Sequence, residues 1–324
     1  TVLLSLGEAA PDIKRALHVI PDLVGAGGDE LRDMIIMQND KEIRATGGFW
    51  TNFATFKVNN AMLSSDFSSY DMYSIDFALT DIDAYYKFPS TLPAYETYLK
   101  VDRMYARDAN TSPDFPTSLE NFSEFYELGM QAAPHFLKPV DGFIAIDTHV
   151  LEELLEVTGP VSVNGFEYSS ENVVLEVEKL ASLTLKEQAG RKDILAHLMQ
   201  AMLTKVFESE SNLWPELIEK GIDLSVRKHV FYYMYNQEAQ DLLEEYRLAG
   251  RIIDPVEDDY AYLVSTNLAG DKTSWFVTKE VFHDLEEVDG RWKRTVRAVF
   301  SYEQPEPKYS AFVKRYQDWL RLYV

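Results

Sequence analysis

The sequence predicts an α/β fold: a mixed central sheet flanked by helices, with an antiparallel, β-rich C-terminal extension. Two patterns carry the prediction. Strand-like and helix-like segments alternate through roughly the first 250 residues, the arrangement that builds a sheet covered by helices. After Asp259 the strand-like segments follow one another directly, joined by turns, which is the antiparallel habit. Size agrees with this, since 324 residues, 46% of them apolar, can bury a full core without disulfides or metals. The expected organisation is a helical lead-in over 1–30, an α/β core over 31–255, and an antiparallel part over 256–324 packed on that core.

The elements follow in order. Asp12 to Ile20 reads as a helix running into a Gly-rich turn. Met34–Gln38 is a short apolar run that suits a buried strand. Phe49–Val58 alternates aromatic and polar residues, Asn59-Asn60 supplies a turn, and Ala61–Ser69 reads as a returning strand. A short helix is expected over Phe77–Tyr86 and a loop over Pro89–Pro93. Pro116–Ala133 places Leu119, Phe122, Phe125 and Tyr126 on one helical face behind an N-terminal proline. Val140–Asp147 is strand-like, with Thr148 the expected N-cap of a helix over Val150–Val157 that Gly159-Pro160 stops. Asn164-Gly165 inside Val161–Tyr168 marks a hairpin, because both positions tolerate φ > 0. Helices are expected from Glu171, capped by Ser169 or Ser170, and over Arg191–Phe207 and Gln237–Ala249, with a strand over His229–Tyr235. Tyr260–Ser265, Trp275–Asp284, Thr295–Tyr302 and Trp319–Val324 read as strands, with Asp289-Gly290 a hairpin turn.

Composition excludes whole classes of function. The chain has 31 Lys+Arg against 53 Asp+Glu, a net charge of −22. Such a field repels phosphate backbones and anionic membranes, so nucleic acid is not an expected partner. Phosphate chemistry would need a local cationic pocket or a bound divalent ion. Cysteine is absent, which removes disulfides, thiol nucleophiles and Cys-ligated metals. The six histidines show no close pairing along the chain, and no G-x-S-x-G elbow, Walker loop or dinucleotide fingerprint occurs.

Two segments concentrate chemistry. In Arg44-Ala-Thr-Gly-Gly-Phe49, paired glycines let backbone N–H groups approach an anion, and Arg44 can fork onto its oxygens; the bland alternative is a tight turn with Arg44 in a structural ion pair. Arg103-Met-Tyr-Ala-Arg-Asp-Ala-Asn110, continuing to Asp114, gathers arginines, aspartates and an amide beside a helix N-terminus. Arginines there would hold an anion and carboxylate oxygens a hard cation; alternatively Arg107 and Asp108 pair with other elements. The run Asp66, Asp71, Asp76, Asp81, Asp83 lacks calcium-loop spacing and reads as a solvated acidic face.

Several segments together resemble the bacterial domain of unknown function 4012: Gln38–Phe49, Arg107–Ser118, Val140–Asp147, Thr158-Gly-Pro-Val161, Glu171-Asn172, Arg191-Lys-Asp-Ile194 and Leu320–Val324. Ala45 stands where that family usually carries proline. The resemblance implies an extracytoplasmic, cell-envelope domain that follows a membrane-spanning helix, an N-terminal anchor absent from this chain. More distantly, the order of strand, Arg-Asp loop, helix and Val-Asp-Gly strand is similar to the LytR-CpsA-Psr (LCP) domains, α/β/α transferases that move glycopolymers from polyprenyl pyrophosphate to the cell wall. That likeness implies Arg107 and Asp108 as catalytic, Arg44, Arg103 and Asn110 as substrate-binding, and Asp108 with Asp114 as ligands of Mg²⁺. The Ser-x-Pro lead of that family before Arg107-Asp108 is missing here.

The expectation is therefore a magnesium-dependent phosphotransferase acting on lipid-linked glycopolymers. The alternative is a noncatalytic envelope module of the same fold that binds a wall polymer or an envelope protein, with Arg44 and Arg107 structural.

Overall fold

The structure, a computed structural model, describes residues 30–60, 62–64, 66–82, 91–182, 188–252 and 260–324. The helix expected over Asp12–Ile20, with most of the lead-in, lies outside the described residues.

A mixed sheet forms the centre. Its strands are β1 (Leu31–Asn39), β2 (Phe49–Asn59), β3 (Met62–Leu63), β4 (Ser68–Asp71), β5 (Gly142–Asp147) and β8 (Val230–Met234), in the order β3-β2-β1-β5-β8 with β4 also on β2. β1 and β5 pair in parallel, while β2 on β1 and β8 on β5 are antiparallel. The apolar run of β1 reflects burial on both faces, the usual state of a strand covered by helices twice over. Met34 and Ile36 point to one face and Ile35 and Met37 to the other.

On the first face, α1 (Tyr73–Asp81) and α3 (Phe115–Ala132) close an aromatic core around Trp50, Phe53, Phe122 and Phe143. Its rings meet edge-on, Trp50 to Phe122 at 5.4 Å and 87°, the geometry that aligns ring edge with ring face. On the second face, α4 (Thr148–Thr158), α5 (Val173–Ser182), α6 (Gln188–Phe207) and α7 (Trp214–Val226) cover Ile35, Phe56, Ile146 and Val230. The layering is α/β/α. The hairpin of β6 (Val161–Val163) and β7 (Phe166–Tyr168) turns at Asn164 and Gly165, φ 50° and 80°. Among the described residues no helix is long and apolar enough to cross a membrane.

The C-terminal segment is antiparallel. β9 (Tyr262–Val264) pairs with β12 (Arg321–Tyr323), and β10 (Val277–Val288) with β11 (Arg291–Tyr302) across the Asp289-Gly290 turn. It is stitched to the sheet domain at the residue before Arg44, where the Asn267 N–H donates to the Ile43 carbonyl at 2.9 Å.

Several boundaries differ from expectation. The N-cap of α4 is Asp147 rather than Thr148: its carboxylate accepts from the His149 N–H at 3.0 Å, so the helix begins two residues early. α1 starts at Tyr73, not Phe77, since Asp71 caps the Ser74 N–H at 3.0 Å; residues 83–86 of the expected helix lie outside the described residues. The strand expected over Ala61–Ser69 is two pieces, β3 and β4. The helix expected from Glu171 starts at Val173, after Ser169 and Asn172 exchange hydrogen bonds. The helix α2 (Pro93–Leu99) begins inside the expected loop, because a proline that breaks a helix interior is tolerated in the first turn. α7 was not foreseen; its exposed Ile218, Ile222 and Val226 blur the one-sided stripe. α8 (Gln237–Glu245) stops before Ala249, because Arg247 takes φ 59°.

Gly48 is held by a close approach. A Cβ there would lie 2.6 Å from the Asn39 carbonyl carbon and 2.7 Å from the Asp40 nitrogen. Backbone cannot give way as a side-chain tip can, so Gly48→Ala is expected to cost about 1–3 kcal/mol, as overpacking does. Urea denaturation checks this; an unchanged midpoint would show that the Gly48 turn does not constrain the fold.

Candidate functional site

The turn between β1 and β2 carries Glu42 and Arg44, and β1 delivers it to the C-terminal edge of the sheet. Arg44 is 2% exposed. Its Nη2 donates to Glu42 Oε1 at 2.9 Å, its Nη1 donates to the Asn267 carbonyl, and its guanidinium lies 5.0 Å from the Phe49 ring centre. Glu42 Oε2 accepts from Lys272 Nζ at 2.7 Å, so one carboxylate joins two cations from opposite ends of the chain. Burial opposes the Glu42 charge, but Lys272 and Arg44 outweigh it and hold its pKa below the usual carboxylate range.

A single turn at Ala106–Asp108 presents the second arginine. Arg107 Nη1 donates to Asp76 Oδ2 at 2.5 Å, and its guanidinium stacks over Tyr105 at 3.9 Å and Tyr73 at 4.6 Å. Asp76 also accepts the Ala106 N–H at 2.8 Å and is 3% exposed. This corrects the reading of the acidic run as a solvated face: Asp76 sits in the core because the arginine and an amide satisfy it.

Asp108 lies where the two arginines act together. It is 3% exposed, its Oδ2 is 3.6 Å from Arg107 Nε, and its charge is felt by both Arg107 and Arg44. Burial dominates and pushes its pKa up to about 6, against the pull of both guanidiniums. Asn110 is fully buried, its amide donating at 2.9 Å to both Thr46 Oγ1 and the Gly48 carbonyl. That bond locks the Gly-Gly turn onto the Arg-Asp-x-Asn loop. Around this nest, Arg44 Nε, the Tyr95 hydroxyl, Asn110 Oδ1 and Arg321 Nε are buried with no hydrogen-bond partner among the described residues.

The remaining expected residues stand elsewhere. Arg103 reaches the surface and forks onto Asp102 at 3.2 and 3.0 Å. Asp114 is the N-cap of α3, accepting from the Thr117 N–H at 2.9 Å, from Arg251 at 2.9 Å and from the Ile252 N–H at 2.7 Å. Both of its oxygens are engaged within the fold. Among the described residues no group of three or more His, Asp or Glu side chains is gathered for a metal.

The reachable feature is a cavity of about 510 Å³ bounded by Arg44, Phe231, Arg251, Tyr262 and Val264, with Lys228, Arg247 and Lys279 at its wall. Lys228 Nζ donates to the Arg247 carbonyl, and Lys279 Nζ donates to Leu263 O at 3.3 Å and Ser265 Oγ at 3.1 Å. Neither lysine has a carboxylate partner among the described residues. Burial lowers the pKa of both, and for Lys228 the Arg247 charge adds to it. These cations belong to no motif and lie far apart in sequence, which is why motif reading missed them.

His149 and His229, eighty residues apart in the chain, bring their rings to 4.5 Å, and Arg227 Nη2 contacts Nε2 of each at 2.7 and 3.2 Å. The pairing joins the start of α4 to the start of β8, a proximity that only the sheet creates.

Residues 30–181 match the family model described as Protein of unknown function (DUF4012), the family that the sequence motifs indicated. No curated protein matches the chain. Several solved structures are similar to the chain, among them the following. One is TagV of Bacillus subtilis, at 12% identity and TM-score 0.35 over 68% of this chain and 80% of that one. Another is described as the transcriptional regulator yvhJ from Bacillus subtilis, at 11% identity and TM-score 0.32 over 68% and 77%. The third is Lin1025 of Listeria innocua, at 12% identity and TM-score 0.32 over 68% and 80%.

Two outcomes follow from the buried network. Arg44→Ala strands Glu42 against Lys272 alone and is expected to cost about 3–5 kcal/mol, as breaking a buried pair does. Arg103→Ala, an exposed pair, should cost about 0–1 kcal/mol. Equal losses in thermal unfolding of the two variants would contradict the burial argument. For Asp108, the folded pKa of about 6 exceeds the ordinary value of 3.8. The folded state therefore holds the proton more tightly than the unfolded chain, and stability falls as pH rises through that window. Asp108→Asn removes the titration, so the stability difference between variant and native protein should move in the variant's favour from pH 4 to pH 6. A flat difference would mean that Asp108 ionises freely.

Proposed function

We propose that the chain is a cell-envelope domain that captures a lipid-linked, pyrophosphate-bearing wall-polymer precursor in the cationic cavity, without using Arg107 and Asp108 as reacting groups. The carrying observation is the wall itself: in a chain of net charge −22, Lys228, Arg247 and Lys279 line one cavity without a carboxylate partner among the described residues. Partly desolvated cations are stabilised by an anion, and a pyrophosphate supplies several acceptor oxygens at once. Phe231, Tyr262, Leu263 and Val264 give the same cavity an apolar side suited to a prenyl chain.

The ligand class rests on the resemblance to LCP domains read from the Arg-Asp loop and the Val-Asp-Gly strand. Arg44 and Arg107 support the binding rather than the transferring reading. Both are locked against carboxylates, Glu42 and Asp76, and Arg44 is at the cavity only as part of its wall. Removing either would disturb folding before it disturbed a ligand.

The test is titration of the purified chain with a short polyprenyl pyrophosphate in detergent, with inorganic pyrophosphate and the dephosphorylated alcohol as separate arms. Charge-assisted hydrogen bonds are worth about 1.5–3 kcal/mol each, so Lys228→Ala with Lys279→Ala should weaken binding by a hundredfold or so, and affinity should fall as salt rises. Unchanged affinity in the double variant, or no binding to the native chain, would remove the proposal. Product formation with an acceptor glycan would restore the transferase reading.

A further inference from the structure

Apart from the cationic cavity, the second face of the sheet holds a buried acid that no group among the described residues hydrogen-bonds. Glu178 occupies a core-facing position of α5, one turn after Val174, and is fully buried. Neither carboxylate oxygen has a hydrogen-bond partner. A space of about 50 Å³ that Glu178 helps to line lies above the C-terminal ends of the parallel strands β1 and β5. That is the edge of a sheet where neighbouring loops part and ligands enter.

The lining has two characters. Met37, Ile146, Leu151 and Met199 make it apolar, while the amides of Asn39 and Asn52 and the carboxylates of Glu178 and Asp147 make it polar, Asp147 being already engaged with the His149 N–H at 3.0 Å and His229 Nδ1 at 2.6 Å. At roughly 10–15 Å³ for each water-sized occupant, the space takes a ligand of a few heavy atoms. The two described lysines whose charge reaches Glu178 are bound elsewhere: Lys272 to Glu42 at 2.7 Å and Lys41 to Asp40 at 2.5 Å. Among the described residues, then, nothing hydrogen-bonds the carboxylate, and a buried polar group left so calls for a partner.

We propose that this cavity is a binding site for a small organic cation with N–H donors, an ammonium group on a short carbon body, held by Glu178. An ammonium donates to a carboxylate and to amide oxygens, and its carbons suit the methionine and leucine wall. A hard metal ion asks for six or more oxygen ligands, and no cluster of three acidic or histidine side chains exists among the described residues. Burial raises the Glu178 pKa to about 7, with Lys272 and Lys41 pulling it down and Asp40 and Glu42 pushing it up. A bound cation favours the carboxylate form, so its uptake at neutral pH releases a proton.

The experiment is isothermal titration of the full chain at pH 7 with methylammonium and ethanolamine, in two buffers of different ionisation heat. Tetramethylammonium, which has no N–H, and sodium are the controls. The expected result is saturable, one-to-one binding with fractional proton release, weakening as pH falls from 8 to 6. Glu178→Gln, isosteric and neutral, should weaken binding about tenfold or more and melt no lower than the native chain. Binding of tetramethylammonium equal to that of methylammonium, an unchanged affinity in Glu178→Gln, or no saturable heat at all, which would leave the cavity to water only, would each overturn the proposal. The proton release is read on the native chain, so the proposal stays testable even if the variant fails to fold. Pyrophosphate binding at the cationic cavity is unaffected by either outcome.

Discussion

The arrangement depends on one buried guanidinium. Arg44 is enclosed between Glu42, the Asn267 carbonyl and the Phe49 ring. A charge removed from water is tolerable only where partners replace the lost hydration. Those partners come from the β1–β2 turn and from the C-terminal segment, and Lys272 completes the set by binding the far oxygen of Glu42. Electrostatic necessity therefore holds the antiparallel segment against the sheet domain. The backbone bond from Asn267 to Ile43 sets its register there.

Around that anchor the protein divides its arginines by environment. Arg107 stacks between two tyrosines and satisfies Asp76, which in turn receives the Ala106 amide. Asp108 sits between the fields of both arginines, and burial still wins, keeping it protonated at higher pH than an exposed carboxyl. These groups behave as a polar core. The cations without a carboxylate partner among the described residues, Lys228, Arg247 and Lys279, lie at the wall of the neighbouring cavity. The same residue type thus fixes the fold in one place and offers chemistry in the next, and solvent access separates the two roles.

The fold was legible where local rules are strong. The run Met34–Gln38 and the aromatic face of Phe122, Phe125 and Tyr126 declare a strand and a helix, because period and apolar character are properties of adjacent residues. Asn164-Gly165 and Asp289-Gly290 turn as their φ preferences require. Boundaries were less legible, since a cap depends on distant partners: the Thr148 hydroxyl donates to Asp40 at 2.6 Å, and Asp147 takes the capping role by accepting from the His149 N–H.

Sequence by itself determined the layered α/β plan, the antiparallel tail, and the two loops that carry Arg44 and Asp108, because patterning, turn chemistry and motif order are written along the chain. Only the tertiary structure decided what those loops do. Whether an arginine meets a ligand or a carboxylate depends on which distant residue the fold sets opposite it: Glu42 and Lys272 for Arg44, Asp76 for Arg107. Likewise, Glu178 in a helix reads as an ordinary surface acid until packing encloses it. Desolvation and long-range pairing are properties of position in space, and no local pattern encodes them.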